Sequence, residues 1–407
     1  SEWDKAPASR QPRGVETGGT VSKTIGIGVV GFGWMGQAHS RAYRNIPVYF
    51  AETGLEPRLV AVADTAPDRV ALAVDNFGFE VGTENWRVLM ERDDIDVIDV
   101  TAPTGMHEEL AVAAAAAGKH VTCEKPVGIE PRATAAIEKA ARDAGVITGC
   151  GYNYRWAPMV QYTRRLIEEG RLGELTHYRG RFFSMYGRDR LGLLSWRFKQ
   201  DEAGFGALAD IMSHAIDMAQ FLCGPIRRVV SVKEIFVKER PLPTPGAGTH
   251  YERGKPGDPT GEVTNEDYVG ALVEFENGVR GTLEADRSIF GPQSQMAYEL
   301  NGSKGAAYWD HEKLNQLSLY LPEEQPTDGF VEVLSGDAYK HHGNFVPGGG
   351  NSIGYEDLKT IEALEFITAV AEGRPNKPDF GDALAAASVA AAMVRSWDSG
   401  KWEDIVS

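Results

Sequence analysis

Hydrophobic positions in the first third of the chain fall into short β-branched runs separated by alanine-rich intervals of helical length. The runs at 25–30, 58–63, 97–101, 121–123 and 146–150 predict strands, and the intervals at 37–45, 67–76, 106–117 and 131–144 predict helices. Regular alternation of this kind predicts a doubly wound α/β unit with a parallel sheet over residues 24–150. After Gly151 the pattern changes to a helix at 159–169, a strand at 175–185 and a helix at 206–222. Strands then follow one another at 226–237, 268–276, 279–285 and 296–301. That order predicts a second, α+β unit over residues 151–407 with a large, mostly antiparallel open sheet. Stretches 240–264 and 337–353, rich in Gly, Pro or charge, read as long loops, the second as an arm reaching toward a pocket. Helices at 355–372 and 381–399 close the pattern. Residues 1–23 read as a flexible N-terminal extension without an apolar signal core.

Composition narrows the function classes. A chain of 407 residues with 42% hydrophobic content can build two cores. Its net charge of −16 disfavours nucleic acid and anionic membrane as partners, since both select a concentrated basic surface. No apolar run approaches the roughly 20 residues of a membrane span. Three cysteines without metal spacing predict a reducing, cytoplasmic setting.

The chemistry begins at Gly31-Phe32-Gly33-Trp34-Met35-Gly36, a G-x-G-x-x-G spacing set between the first strand and the first helix. Gly31 permits a tight turn, Gly33 lets the backbone approach a pyrophosphate, and Gly36 allows close packing of helix on strand. The helix N-terminus offers free N–H groups to the phosphates. Asp64, ending the second strand, suits the ribose hydroxyls and repels a 2′-phosphate; Thr65, Ala66 and Pro67 add no cation, although Arg69 lies a helical turn further on. The cofactor is therefore read as NAD, with NADP less favoured. Lys125, in Glu124-Lys125-Pro126, follows a strand at the carboxyl edge of the sheet, where a cis Lys-Pro bond would aim it into a cleft. Asp210 and His214 lie four apart on one helix and share a face. Alcohol oxidation needs a base for the hydroxyl proton and a cation for the developing alkoxide, which gives Lys125, Asp210 and His214 catalytic roles. No metal site is read: His341-His342 lacks a third ligand at metal spacing.

Together with CEKP at 123–126, GYNYR at 151–155, LSWRF at 194–198 and GALADIMSHAIDMAQFL at 206–222, these motifs resemble the Gfo/Idh/MocA oxidoreductase family. The resemblance runs from Thr24 almost to the C-terminus. It implies an N-terminal Rossmann domain and a C-terminal domain whose open sheet carries subunit contacts, hence a homodimer or homotetramer. It implies Lys125, Asp210 and His214 as the catalytic set, with His214 as acid/base. Cofactor contacts are implied for Phe32, Trp34, Met35, Thr101, Pro103, His107, Glu124, Lys125, Asn153, Trp196 and Arg197 beside the glycines and Asp64. Substrate contacts are implied for Lys125, Asn153, Arg155, Asp210, His214 and Tyr355. The implied substrate is a sugar, glycoside or cyclitol secondary alcohol, at the 3-hydroxyl of a pyranose. Two other readings stand beside it: a redox-neutral, NAD-retaining glycosidase working through C3 oxidation, and a non-catalytic NAD- and sugar-sensing regulator. The presence of Lys125, Asp210 and His214 speaks against the regulator.

Overall fold

In a computed structural model describing residues 23–243 and 252–406, the first unit alternates strand and helix as the hydrophobic pattern predicts. Its strands are β1 (Lys23–Val30), β2 (Leu55–Ala63), β3 (Val81–Thr83), β4 (Val97–Val100), β5 (His120–Cys123) and β6 (Thr148–Cys150). Its helices are α1 (Trp34–Tyr49), α2 (Pro67–Leu72), α3 (Arg87–Met90), α4 (His107–Ala116) and α5 (Pro131–Ala144). All six strands run parallel in the order β3-β2-β1-β4-β5-β6. The winding reverses between β1 and β4, and ligands of such sheets bind outside the strand ends at that point. β4 is buried along its whole length, which is why its run is apolar throughout apart from Asp99. Helix α5 opens with Pro131 at its first position and closes on Gly145 in the left-handed region (φ 67°), so both ends are set by local chemistry.

The second unit adds α6 (Pro158–Glu168), β7 (Leu175–Ser184), α7 (Gln200–Ala203) and α8 (Ser213–Cys223). Next come β8 (Ile226–Glu234), β9 (Glu239–Pro241), β10 (Thr260–Glu262), β11 (Tyr268–Phe275) and β12 (Arg280–Asp286). They are followed by β13 (Ser294–Gly302), β14 (Ala306–Asp310), β15 (Gln316–Tyr320) and β16 (Val331–Leu334). The chain ends with α9 (His342–Phe345), α10 (Tyr355–Glu372), α11 (Phe380–Ser399) and β17 (Glu403–Asp404). Nine strands form one sheet in the order β16-β15-β14-β13-β7-β12-β11-β8-β17, antiparallel except where β7 meets β12. One face, carrying Tyr178, Phe182, Val269 and Leu283, is buried.

The structure departs from the sequence expectation in short elements. Three-residue β3 is too brief to show alternation, and the stretch from 240 to 264 contains the β9–β10 pair, with 244–251 and the N-terminal extension up to residue 22 outside the described residues. The helix expected at 206–222 starts instead as a π-helical turn, Leu208–Met212, before α8. The arm at 337–353 folds onto the end of α1: Asn344 donates to the Tyr49 carbonyl (2.9 Å) and Phe345 packs on Tyr49 and Phe50. The last helices return to the first unit. Phe366 of α10 fills the space left by Gly149, where a Cβ would lie 3.0 Å away, and the amide N–H of Cys150 donates to the Pro378 carbonyl (3.1 Å).

Candidate active site

The glycine turn is shaped by close approach. Gly31 adopts φ 93°, and a Cβ there would fall 2.5 Å from the Ala102 nitrogen; one on Gly36 would fall 2.1 Å from the Gly31 carbonyl oxygen. A Cβ on Gly33 would meet nothing within 4 Å, so that side of the turn is open to a ligand. The Thr101 hydroxyl donates to the Gly31 carbonyl (2.6 Å) and fixes the turn from below. Phe32 offers only its backbone, because its ring is buried edge-on against Phe77 and Phe79. Its N–H donates to one Asp64 oxygen (2.6 Å), while the other accepts from the Ala66 N–H (2.9 Å). Each oxygen keeps a lone pair for a ribose hydroxyl. Arg69 stands 3.7 Å from that carboxylate. Trp34, exposed, stacks on Tyr355 (5.7 Å, 17°), Met35 is half-buried and Pro103 lies exposed at the lip.

These features fit a dinucleotide: an open glycine face at a helix N-terminus beside an acidic strand end. A further sign is buried Asn153, whose amide nitrogen has no hydrogen-bond partner among the described residues and is free for a ligand acceptor.

Lys125 follows β5 through a cis bond to Pro126. Its ammonium donates to the Asp210 carbonyl (2.7 Å) and to the Asp210 carboxylate (3.0 Å). Burial works to raise the Asp210 carboxyl, but the Lys125 and Arg197 charges outweigh it and hold it well below the usual carboxylate range. Arg197 lies 3.7 Å away, stacked on Trp196 (4.5 Å). His214 is buried among aromatic rings, edge-on to Tyr154 (4.8 Å) and Tyr152 (5.7 Å). Burial, reinforced by the Lys125 charge, pushes the imidazole well below its ordinary pKa, so it is neutral at neutral pH.

Three expected contacts point elsewhere. His107 is buried with its ring nitrogens at the Pro126 (3.0 Å) and Ala102 (2.8 Å) carbonyls, so it clasps the lysine turn to the loop after β4. Arg155 pairs with Asp217 (2.5 Å) and Asp382 (3.2 Å), bracing α8 against α11. Glu124 turns inward, accepting from Lys359 (2.6 Å), His39 (3.0 Å) and the Lys125 backbone N–H (3.1 Å).

The cluster around Glu124 is one that sequence reasoning missed. His39 bonds Asp99 (2.9 Å), to which the Tyr43 hydroxyl also donates, and Lys359 bonds Glu362 (2.9 Å). Burial lowers the His39 pKa, but Asp99 outweighs it and the result is raised to about 9. Acceptor atoms of His39, Glu124 and Glu362 lie within 4.8 Å of one another, yet the Lys359 ammonium is the cation between the two carboxylates. The available signal was the Lys359–Glu362 pair, three residues apart among the apolar positions of α10.

A second unforeseen group positions the Asp210 turn. The fully buried Arg287 bonds Asp267 (2.8 Å), the Asn265 side chain (2.8 Å) and the Arg197 carbonyl (3.1 Å). Glu266 accepts from the Ala207 and Leu208 N–H groups (3.0 and 2.9 Å), taking the first donors of the π-helical turn that carries Asp210.

A six-stranded parallel sheet of this order, with an open glycine turn and a carboxylate at the second strand end, defines a nicotinamide-nucleotide oxidoreductase. Comparison with known proteins gives the family: residues 25–152 match the oxidoreductase family with NAD-binding Rossmann fold, and residues 160–308 match the GFO/IDH/MocA C-terminal domain. The chain belongs to the Gfo/Idh/MocA oxidoreductases and binds NAD. It is 35% identical to levoglucosan dehydrogenase of Pseudarthrobacter phenanthrenivorans over 94% of this chain and 98% of that one. It is 25% identical to inositol 2-dehydrogenase of Rhizobium meliloti, covering 92% and 97%. A solved levoglucosan dehydrogenase in complex with NADH and levoglucosan superposes with a TM-score of 0.88 at 33% identity, over 95% of this chain and 100% of that one.

Proposed function

We propose that this protein is an NAD-dependent dehydrogenase of a secondary alcohol on a sugar, glycoside or cyclitol, acting at the 3-hydroxyl of a pyranose. The observation that carries the reading is the Lys125 ammonium 3.0 Å from the Asp210 carboxylate, beside a neutral His214 at the carboxyl edge of the parallel sheet. Likeness to levoglucosan dehydrogenase along nearly the whole chain supports an anhydrosugar or related pyranose as substrate.

When bound, NAD supplies the acceptor for the carbinol hydride. Asp64 and the open face of Gly33 would hold its adenosine ribose and pyrophosphate, and the unpartnered Asn153 amide would serve its nicotinamide end or the substrate. His214, neutral, accepts the hydroxyl proton through a ring nitrogen. Lys125, held by its ion pair with Asp210, stabilises the alkoxide oxygen as that proton leaves. Burial and the Lys125 charge disfavour imidazolium, so His214 holds the proton only in transit. The ring of aromatic side chains around His214 excludes water from the reacting carbon.

The test is a panel of pyranosides, 1,6-anhydrosugars and inositols incubated with NAD, followed by NADH absorbance and product chromatography. NADH formed with a keto-sugar product supports the proposal. Release of an aglycone without net NADH would replace it with the redox-neutral glycosidase, and no turnover of any member would sink it.

A further inference from the structure

A cavity of about 730 Å³ lies away from the catalytic cluster: none of Lys125, Asp210 or His214 lines it. It lies between α6, the C-terminal end of α8, the start of α11 and Tyr339-Lys340 of the arm. Its volume is in the range of small-molecule sites, roughly 300–1,000 Å³. Although the chain carries a charge of −16, the side chains lining this wall are mostly basic: Arg155, Arg164, Arg165, Lys340 and Lys377 face it with Glu168 and Asp382, while Asp217, Glu169, Glu365 and Asp379 pair with them from behind.

The guanidinium groups are held by aromatic rings. Phe221 sits under both Arg155 (4.9 Å) and Arg164 (5.6 Å), and Tyr162 sits under Arg165 (5.0 Å). A guanidinium stacked on a ring keeps its edge N–H groups in plane for a two-toothed oxyanion. Internal partners engage these groups unequally: Lys340 bonds Glu365 (2.6 Å), Lys377 bonds Asp379 and Asp382 (3.0 Å each) and Arg164 is tied to Glu168 and the Phe221 carbonyl (2.7 Å each), whereas the nearest carboxylate to Arg165 is Glu169 at 3.9 Å, which leaves its N–H groups the least engaged.

We propose that this cavity binds a small multivalent oxyanion, a phosphate ester or polycarboxylate of about hexose size, separately from the NAD and substrate sites. Arg165 and Lys340 supply charge, and the Tyr162 and Tyr339 rings supply a flat wall for the rest of the molecule.

Titration calorimetry on NAD-saturated protein at fixed ionic strength, with glucose 6-phosphate, citrate and glucose as probes, tests this. At least one anion should bind once per chain with a Kd below roughly a millimolar, and glucose should not reproduce that binding. Arg165→Gln with Lys340→Gln should raise the Kd at least tenfold while NAD affinity stays unchanged. Should that variant fail to fold, phenylglyoxal modification of the wild-type chain gives the same answer: the bound anion should protect Arg164 and Arg165 in a peptide map. Failure of both anions to bind, equal binding by glucose, unchanged affinity in the folded variant, or binding without protection would overturn the proposal.

Discussion

At the scale of single residues, the side chains proposed for chemistry differ from those that merely surround it. Replacing Lys125 or His214 with Ala should lower turnover by about two to four orders of magnitude, as for loss of a positioned acid/base or charge stabiliser. NAD affinity, measured by NADH fluorescence titration, should stay near wild type; near-normal turnover in either variant would remove that residue from the mechanism. Asp64 makes a different prediction. If its carboxylate meets the ribose as proposed, then with Arg69 at 3.7 Å the change Asp64→Ala removes the repulsion toward a 2′-phosphate and releases a cation to bind it. The ratio of kcat/KM for NADP to that for NAD should rise at least tenfold; an unchanged ratio would show that Asp64 does not face the ribose. These residues were legible because each rests on local grammar: glycine spacing, a strand end, or a four-residue helical repeat. Glu124, Arg155 and His107 were read with the correct neighbours but the wrong direction, since the sequence does not say whether a side chain beside a cleft turns out of it or into the core.

At the scale of elements, buried charges join segments far apart in the chain. The Asp99, His39, Glu124 and Lys359 cluster ties β4, α1, the lysine turn after β5 and α10, with Glu124 and Lys359 separated by 235 positions. No periodicity reports such a pair, which is why the cluster was invisible while every element carrying it was predicted within a few residues. The cluster sets a pH dependence. His39 has a folded pKa of about 9 against an ordinary 6.5, a raised value, so its contribution is complete below pH 6.5 and is lost as pH rises through 9. The difference corresponds to about 3 kcal/mol. Thermal melts of the wild type should therefore lose stability between pH 6.5 and 9, and His39→Gln, which removes the charge but can still donate, should flatten that slope. An equal slope in both proteins would place the titration elsewhere. The π-helical turn at Asp210 was missed for a similar reason: its first donors are taken by Glu266 from the loop before β11, a tertiary effect that overrides helical spacing.

At the scale of the whole molecule, the nine-stranded sheet has one face packed on helices and another, open, on which a small apolar patch lies among charged pairs such as Arg179–Glu299 and Arg228–Glu274. Val232 is 61% exposed and Leu272 52%, and the register puts Val230 opposite Leu272 and Val232 opposite Gly270, so these side chains share that outer face on β8 and β11. The succession of strands predicted a large open sheet, but a sequence cannot show which face lacks a cover. An exposed apolar patch of this kind marks an interface, and a sheet face meets its own copy through a two-fold axis. We expect a homodimer or homotetramer through this face. The interface is self-complementary, so one change is felt twice: Val232→Glu combined with Leu272→Glu brings like charges together across the axis. Light scattering of the wild type at micromolar concentration should give a multiple of the 44.3 kDa chain mass, and the double variant should give a smaller particle that still binds NAD. A monomeric wild type, or a double variant of unchanged mass, would exclude this face as the interface.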